Sequence, residues 1–289
     1  MTYEVIAPVL TPFAHGAPDL EVMRRHVTAI LEQGVDAVFV CGTTGLGPSL
    51  SFQEKVMVLR SISDVTNRII VQIGGLNMDE VIGLVKECNE RDIMGVASFA
   101  PYYYQRLPES HLLKYFQNIV ELSEHPVYVY NYPAGTGKDL DPNFVSKLSV
   151  AGIKDTSESL VHSLEYRRKM PSLKVYNGSD FLAAISLLVL DGTVASAANF
   201  VPKLFFTMKR GASKGQTGSL LKAQFLIDEI VELGRKYGYL SSIYDITSYF
   251  MGYDVRGPRS PIFPLGQDER EQLLRQLVRL KEQAEEMSE

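Results

Sequence analysis

Eight short apolar runs recur along the first two thirds of the chain, and an amphipathic segment or helical turn separates each from the next. The runs are Val5–Leu10, Ala37–Val40, Ile69–Ile73, Gly95–Phe99, Val127–Asn131, Gly152–Lys154, Lys174–Asn177 and Thr193–Ala195. Their length and apolar content read as β-strands. Between them, Leu20–Gln33 places Leu20, Met23, Val27 and Ile30 on one helical face, and Gln53–Ser63 does the same with Val56, Leu59 and Ile62. Asp79–Asn89, His111–Leu122 and Ser159–Lys169 repeat the pattern. Strands that return to one sheet edge through helices pair in parallel. Nothing like GxGxxG follows Val5–Leu10, so an open dinucleotide-binding sheet is the weaker reading. The expected fold is α/β, a (β/α)8 TIM barrel over residues 1–211. Residues 212–289 then form a C-terminal helical extension packed on the barrel as one structural unit. Leu220–Tyr237, Ile243–Gly252 and Glu269–Glu286 supply its helices, with a Pro-rich turn at Gly257–Leu265. The charged face of Glu269–Glu286 meets either water or a partner chain.

With 45% hydrophobic residues among 289, the chain can bury a large core. The formal net charge of −5 speaks against a general nucleic-acid binder. Cys41 and Cys88 sit in apolar stretches and read as buried thiols. His15, His26, His111, His125 and His162 show no ligand spacing, so no metal and no cofactor are expected. The N-terminal stretch lacks a basic leader, and the longest apolar run is broken by Asp191 and Gly192. A soluble cytoplasmic protein with no membrane partner is the expectation.

In a barrel of this kind, chemistry gathers on the loops after the carboxyl ends of the strands. Lys154 ends the run VAGIKD, an unusual place for a flexible cation. A lysine in a dry barrel mouth loses its charge readily and can attack a ketone to form a Schiff base. The alternative is an ion pair with Asp155 or another carboxylate. Tyr130 shares a strand face with Tyr128, and its phenol can relay a proton or simply be satisfied in the core. CGTTGLGPS places Thr43 and Thr44 in a glycine-rich turn before a helix, where they either hold a carboxylate or merely shape the turn. Pro101–Tyr104 followed by Arg106 reads as an interface cluster or surface loop. Gly178, Ser179 and Asp180 follow the seventh strand.

The segments GTTGLGPSLS (42–51), APYYYQRLPE (100–109), YNYPAGTG (130–137), GIKDT (152–156) and VYNGSD (175–180) together carry a resemblance. The chain resembles the pyruvate-dependent class I aldolases and lyases grouped with dihydrodipicolinate synthase and N-acetylneuraminate lyase, and among these most of all the archaeal 2-keto-3-deoxygluconate (KDG) aldolases. The resemblance implies Lys154 as the Schiff-base lysine and Tyr130 as the proton carrier. It implies Thr43 and Thr44 as holders of the pyruvyl carboxylate, and Gly178, Ser179 and Asp180 as contacts to the hydroxylated tail. Tyr103 matches an aromatic residue given across a dimer to the neighbouring site. Arg106 and Arg235 match basic residues used for a substrate phosphate. The implied reaction yields pyruvate and glyceraldehyde, or glyceraldehyde 3-phosphate, and the implied assembly is a homotetramer.

Departures separate the branches. Dihydrodipicolinate synthases commonly carry glutamate where Leu46 stands and arginine where Gly135 stands. Loss of that arginine removes a clamp for a second carboxylate. Tyr239 stands where phosphate-tolerant relatives have serine, and either obstructs a phosphate or donates its own hydroxyl. A dihydrodipicolinate synthase or a sialic-acid-type lyase is the alternative within enzymes, and a catalytically silent regulatory barrel the alternative outside them.

Overall fold

Lys154 and the residues around it owe their positions to eight parallel strands: β1 Glu4–Pro8, β2 Ala37–Val40, β3 Ile69–Gln72, β4 Gly95–Phe99, β5 Val127–Asn131, β6 Gly152–Asp155, β7 Lys174–Asn177 and β8 Gly192–Val194. This is a computed structural model, and it describes residues 3–288. Neighbouring strands pair in chain order, and β1 pairs with both β2 and β8, which closes the barrel. The crossovers are α1 Leu20–Glu32, α2 Phe52–Ser63, α3 Met78–Asn89, α4 Glu109–Leu122, the single turn α5 Pro142–Val145, α6 Leu160–Lys169 and α7 Ala183–Val189. After β8 comes α8, Pro202–Ser213, with proline in its first turn.

The strand VYVYN of β5 shows how the period works. All five of its residues are buried, as in a strand covered on both faces. Tyr128 and Tyr130 point into the barrel and pack with Ile6, Phe39, Phe99 and Tyr176. Val127 and Val129 point out, into the apolar layers beneath the helices. The barrel interior is therefore filled with side chains and is not a pore.

Differences from the expected elements are mostly one or two residues at their ends. β1 stops at Pro8, and the chain passes into a small hairpin, Phe13–Ala14 with Ala17–Pro18. α7 and α8 were not legible as helices. The α7 sequence, AAISLLV, is apolar on nearly every side, so no 3.6-residue stripe marks it.

The rest of the chain forms α9 Thr217–Lys236, α10 Tyr239–Met251 and α11 Gln267–Glu286. The leucine stripe of α11 is covered by its own chain: Leu273, Leu277, Leu280 and Ala284 are buried where α11 packs on α9 and α10. Each buried leucine contributes about 1.5–3 kcal/mol relative to exposure. The Pro-rich turn before α11 is pinned by Arg259, which donates to Ser49 O at 2.6 Å, Gly16 O at 2.8 Å and Glu54 Oε2 at 2.7 Å. This clamp grips the chain just after the Thr43–Thr44 loop. Among the described residues, no helix is long and apolar enough to cross a membrane.

Candidate active site

Alternation along β6 decides the fate of Lys154. Ile153 faces the outer layer and Lys154 faces the barrel, so Asp155 faces outward again. Outside, Asp155 accepts from Ser163 Oγ at 2.7 Å, Asn131 Nδ2 at 3.0 Å and Ser157 Oγ at 3.0 Å, and lies 3.2 Å from His162 Nδ1. Adjacent residues of a strand cannot both face one side, so the Lys154–Asp155 ion pair does not form. Lys154 makes no ion pair with any other carboxylate among the described residues. Its side chain is only 6% exposed. Its Nζ lies 4.0 Å from the centre of the Tyr130 ring and 4.4 Å from that of Phe39. Burial drives its pKa down to about 7, against the opposing pull of the Asp180 charge.

Tyr130 stands directly opposite Lys154 in the β5–β6 register. Its hydroxyl lies 3.2 Å from Thr43 Oγ1. Burial pushes the phenol up to about 12, and the bond from Thr43 only partly offsets this. The phenol therefore keeps its proton near neutrality and can pass it only in exchange for another. Thr43 and Thr44 ride on a tightly curled loop after β2. Cys41 and Leu46 adopt left-handed backbone there, Gly47 N donates to Gly42 O at 2.8 Å, and Thr11 Oγ1 donates to Gly45 O at 2.7 Å. A reciprocal Ser51–Glu54 cap then starts α2.

These groups line one cavity of about 270 Å³ at the carboxyl ends of the strands. Thr43, Thr44, Tyr130 and Lys154 line it, as do Gly178, Ser179, Asp180 and Arg235. A larger cavity of about 460 Å³, between the start of α8 and α11, contains none of them. Gly178 is required by space: a Cβ there would lie 2.1 Å from Thr156 Oγ1 and 3.2 Å from Lys154 Cε. Asp180 accepts from Ala197 N at 2.8 Å and from Ser196 Oγ at 2.5 Å. Burial raises its pKa, and those two bonds oppose the rise. Arg235 lies 3.3 Å from Glu158 Oε1 and 4.4 Å above the Phe181 ring. Tyr103 and Arg106 do not reach this cavity within one chain. Both are exposed on the loop after β4, Tyr103 by 75%.

Sequence reasoning passed over Tyr132, Thr156, Glu158 and Ser196, and it treated Tyr239 only as a departure from relatives. All five line the cavity. Tyr132, Thr156 and Ser196 sit one or two residues past a strand's end, which is the signal that finds such residues. Thr156 Oγ1 is buried in the cavity wall beside the Tyr130 hydroxyl, and with Thr43 it opposes the rise in that phenol's pKa. The Tyr132 ring stacks on Tyr130 at 5.9 Å and 7°. Gly135 allows this, because a Cβ at 135 would lie 2.2 Å from the Tyr132 ring. The missing arginine and the stacked tyrosine are thus two sides of one arrangement. Among the described residues no group of three His, Cys, Asp or Glu is placed to hold a metal ion.

A family model described as the dihydrodipicolinate synthetase family matches residues 1–280. The chain is 46% identical over 285 residues to the 2-dehydro-3-deoxy-phosphogluconate/2-dehydro-3-deoxy-6-phosphogalactonate aldolase of Sulfurisphaera tokodaii, covering 98% of each. The structure superposes on the 2-keto-3-deoxygluconate aldolase of Sulfolobus solfataricus in complex with D-KDPG, with a TM-score of 0.96, 46% identity and 98% coverage of both chains. A variant of that aldolase in complex with pyruvate gives a TM-score of 0.94 at 44% identity, again covering 98% of both. A match that runs along nearly the whole chain, on a closed barrel with a lysine at its mouth, places the protein in the dihydrodipicolinate synthetase family.

Proposed function

We propose that the protein is a class I aldolase that reversibly cleaves 2-keto-3-deoxygluconate to pyruvate and glyceraldehyde. The galactonate epimer and the 6-phospho substrate enter the same cavity, to extents set by its far end. The observation that carries this reading is the buried, unpaired Lys154 amine lying against the Tyr130 ring, with the Tyr130 hydroxyl on Thr43. Relatives at nearly half identity are named as aldolases of such sugar acids, and similar structures hold pyruvate or D-KDPG.

In the cleavage direction, neutral Lys154 Nζ attacks C2 of the keto acid, and loss of water gives an iminium. Tyr130 passes the C4 hydroxyl proton onward as the C3–C4 bond breaks. The bonding pair moves into the iminium, leaving an enamine of pyruvate and releasing the aldehyde. Protonation at C3 and hydrolysis return pyruvate and the free amine. Thr43 and Thr44 hold the pyruvyl carboxylate and keep the phenol in place. The proposed enzyme works in the cytoplasm as a homotetramer in which Tyr103 serves a neighbouring site.

Borohydride trapping with pyruvate, read by peptide mass spectrometry, tests the first step. A stable adduct on Lys154 is expected, and label on another residue overturns the assignment. Tyr130→Phe is expected to lower kcat by about 10²-fold or more. Undiminished turnover removes its role as proton carrier.

A further inference from the structure

Three side chains in the cavity wall form a hydrogen-bond chain whose direction is fixed by its last member. Asp180 is buried and takes the Ala197 N–H on one carboxylate oxygen. Its other oxygen takes Ser196 Oγ at 2.5 Å. A carboxylate only accepts, so Ser196 spends its single proton on Asp180. The Tyr239 hydroxyl lies 2.6 Å from the same Ser196 Oγ. Ser196 has no second proton to give, so the phenol must donate to it. The Tyr239 oxygen then has only lone pairs left for whatever occupies the cavity. The Glu158 carboxylate also lines the cavity and holds Arg235 at 3.3 Å. Arg235 and Glu158 offset one another, which leaves the Asp180 carboxylate as one net negative charge in this wall.

We propose that Tyr239 is a specificity-determining residue, an acceptor-only contact that selects a substrate tail ending in a free hydroxyl over one ending in phosphate. A tail hydroxyl donates to the phenol oxygen. A phosphate near neutrality offers almost only acceptors, so it meets lone pairs and the uncompensated Asp180 charge. Of the two readings the sequence leaves open, obstruction or donation, donation is removed, because the Tyr239 proton is committed to Ser196. This inference rests on the aldolase reading given above.

The test measures kcat/KM in the synthesis direction, with pyruvate and either glyceraldehyde or glyceraldehyde 3-phosphate. The wild type is expected to favour glyceraldehyde by about tenfold or more. Tyr239→Phe keeps the ring and removes the oxygen. It should reduce that ratio about fivefold to tenfold, through a higher KM for glyceraldehyde. Glu158→Gln acts at an exposed position and removes one charge. It should reduce the ratio from the other side, by raising kcat/KM for the phosphate ester severalfold. A wild type that prefers the phosphate ester, or a ratio unmoved by both substitutions, overturns the proposal. Borohydride trapping with pyruvate is run on the same wild-type preparation. An intact adduct beside an unmoved ratio removes this inference alone, whereas no adduct removes the aldolase reading and this inference with it.

Discussion

Because burial holds the Lys154 ammonium down to about 7, a good part of the population carries a neutral amine at neutral pH. The rate of pyruvate adduct formation is expected to rise about tenfold per pH unit well below 7 and to level off above about 8. A rate flat from pH 5 to 9 in rapid-quench trapping contradicts this. The same shift carries a stability cost. The folded pKa is depressed, so the unfolded chain binds more protons between about 7 and 10.5, and the cost is greatest below 7. Lys154→Met should therefore abolish the adduct yet gain about 0.5–2 kcal/mol near pH 6, with the gain shrinking by pH 10. Thermal unfolding at the two pH values checks it. Gly135→Ala should force the Tyr132 ring off Tyr130. Stacking of this kind is worth about 0.5–1.5 kcal/mol, so a KM for the sugar acid raised about threefold to tenfold is expected in steady-state assays. Lys154 was legible because a lysine is an unlikely residue at the end of an apolar strand, whereas the roles of Tyr130, Thr43 and Thr44 came from the family resemblance. Tyr132, Glu158 and Ser196 were not legible, since tyrosine, glutamate and serine are ordinary loop residues until the loops converge.

At the scale of elements, α6 is tied to the outer face of β5 and β6 through His162. Its Nδ1 lies 3.2 Å from Asp155 Oδ2, and its Nε2 lies 3.3 Å from Asp139 Oδ2. The hydrogen bond to Asp155 raises the His162 pKa against the opposing effect of burial. Burial also works to raise Asp155, but the bonds from His162 and Ser163 outweigh it and hold that carboxyl low. For a raised histidine, the stabilisation is full below the unfolded value of 6.5 and is lost as pH rises through the folded pKa. For the lowered Asp155 it is present above 3.8 and lost in stronger acid. The melting-temperature gap between wild type and His162→Gln is therefore expected to be wider at pH 5.5 than at pH 8.5. A gap independent of pH refutes the pairing. None of this cluster was visible in sequence, where His162 reads as one more polar residue of a helix. The amphipathic helices were legible from their stripes, while α7 was hidden by being apolar almost throughout.

At the scale of the whole molecule, one chain leaves Tyr103 and Arg106 exposed and outside its own cavity; Tyr103 was expected to serve a neighbour's site and Arg106 a substrate phosphate. If a neighbouring chain completes the site, Lys154→Met and Tyr103→Ala variants should complement one another. Mixed, dissociated and reassembled, the two are expected to recover activity that neither shows alone, and no recovery in the mixture denies the shared site. Sequence by itself determined the number of strands, their parallel pairing and the lysine at the end of the sixth. Those follow from local periodicity and from the residue types that a barrel mouth tolerates. Closure of β1 on β8 and the burial of Lys154 without a carboxylate partner were decided only in three dimensions. So was the chain Tyr239–Ser196–Asp180, whose members lie up to 59 positions apart. The reason is physical: hydrogen-bond direction and burial depend on which side chains meet, and residues distant in sequence meet only after the barrel has closed.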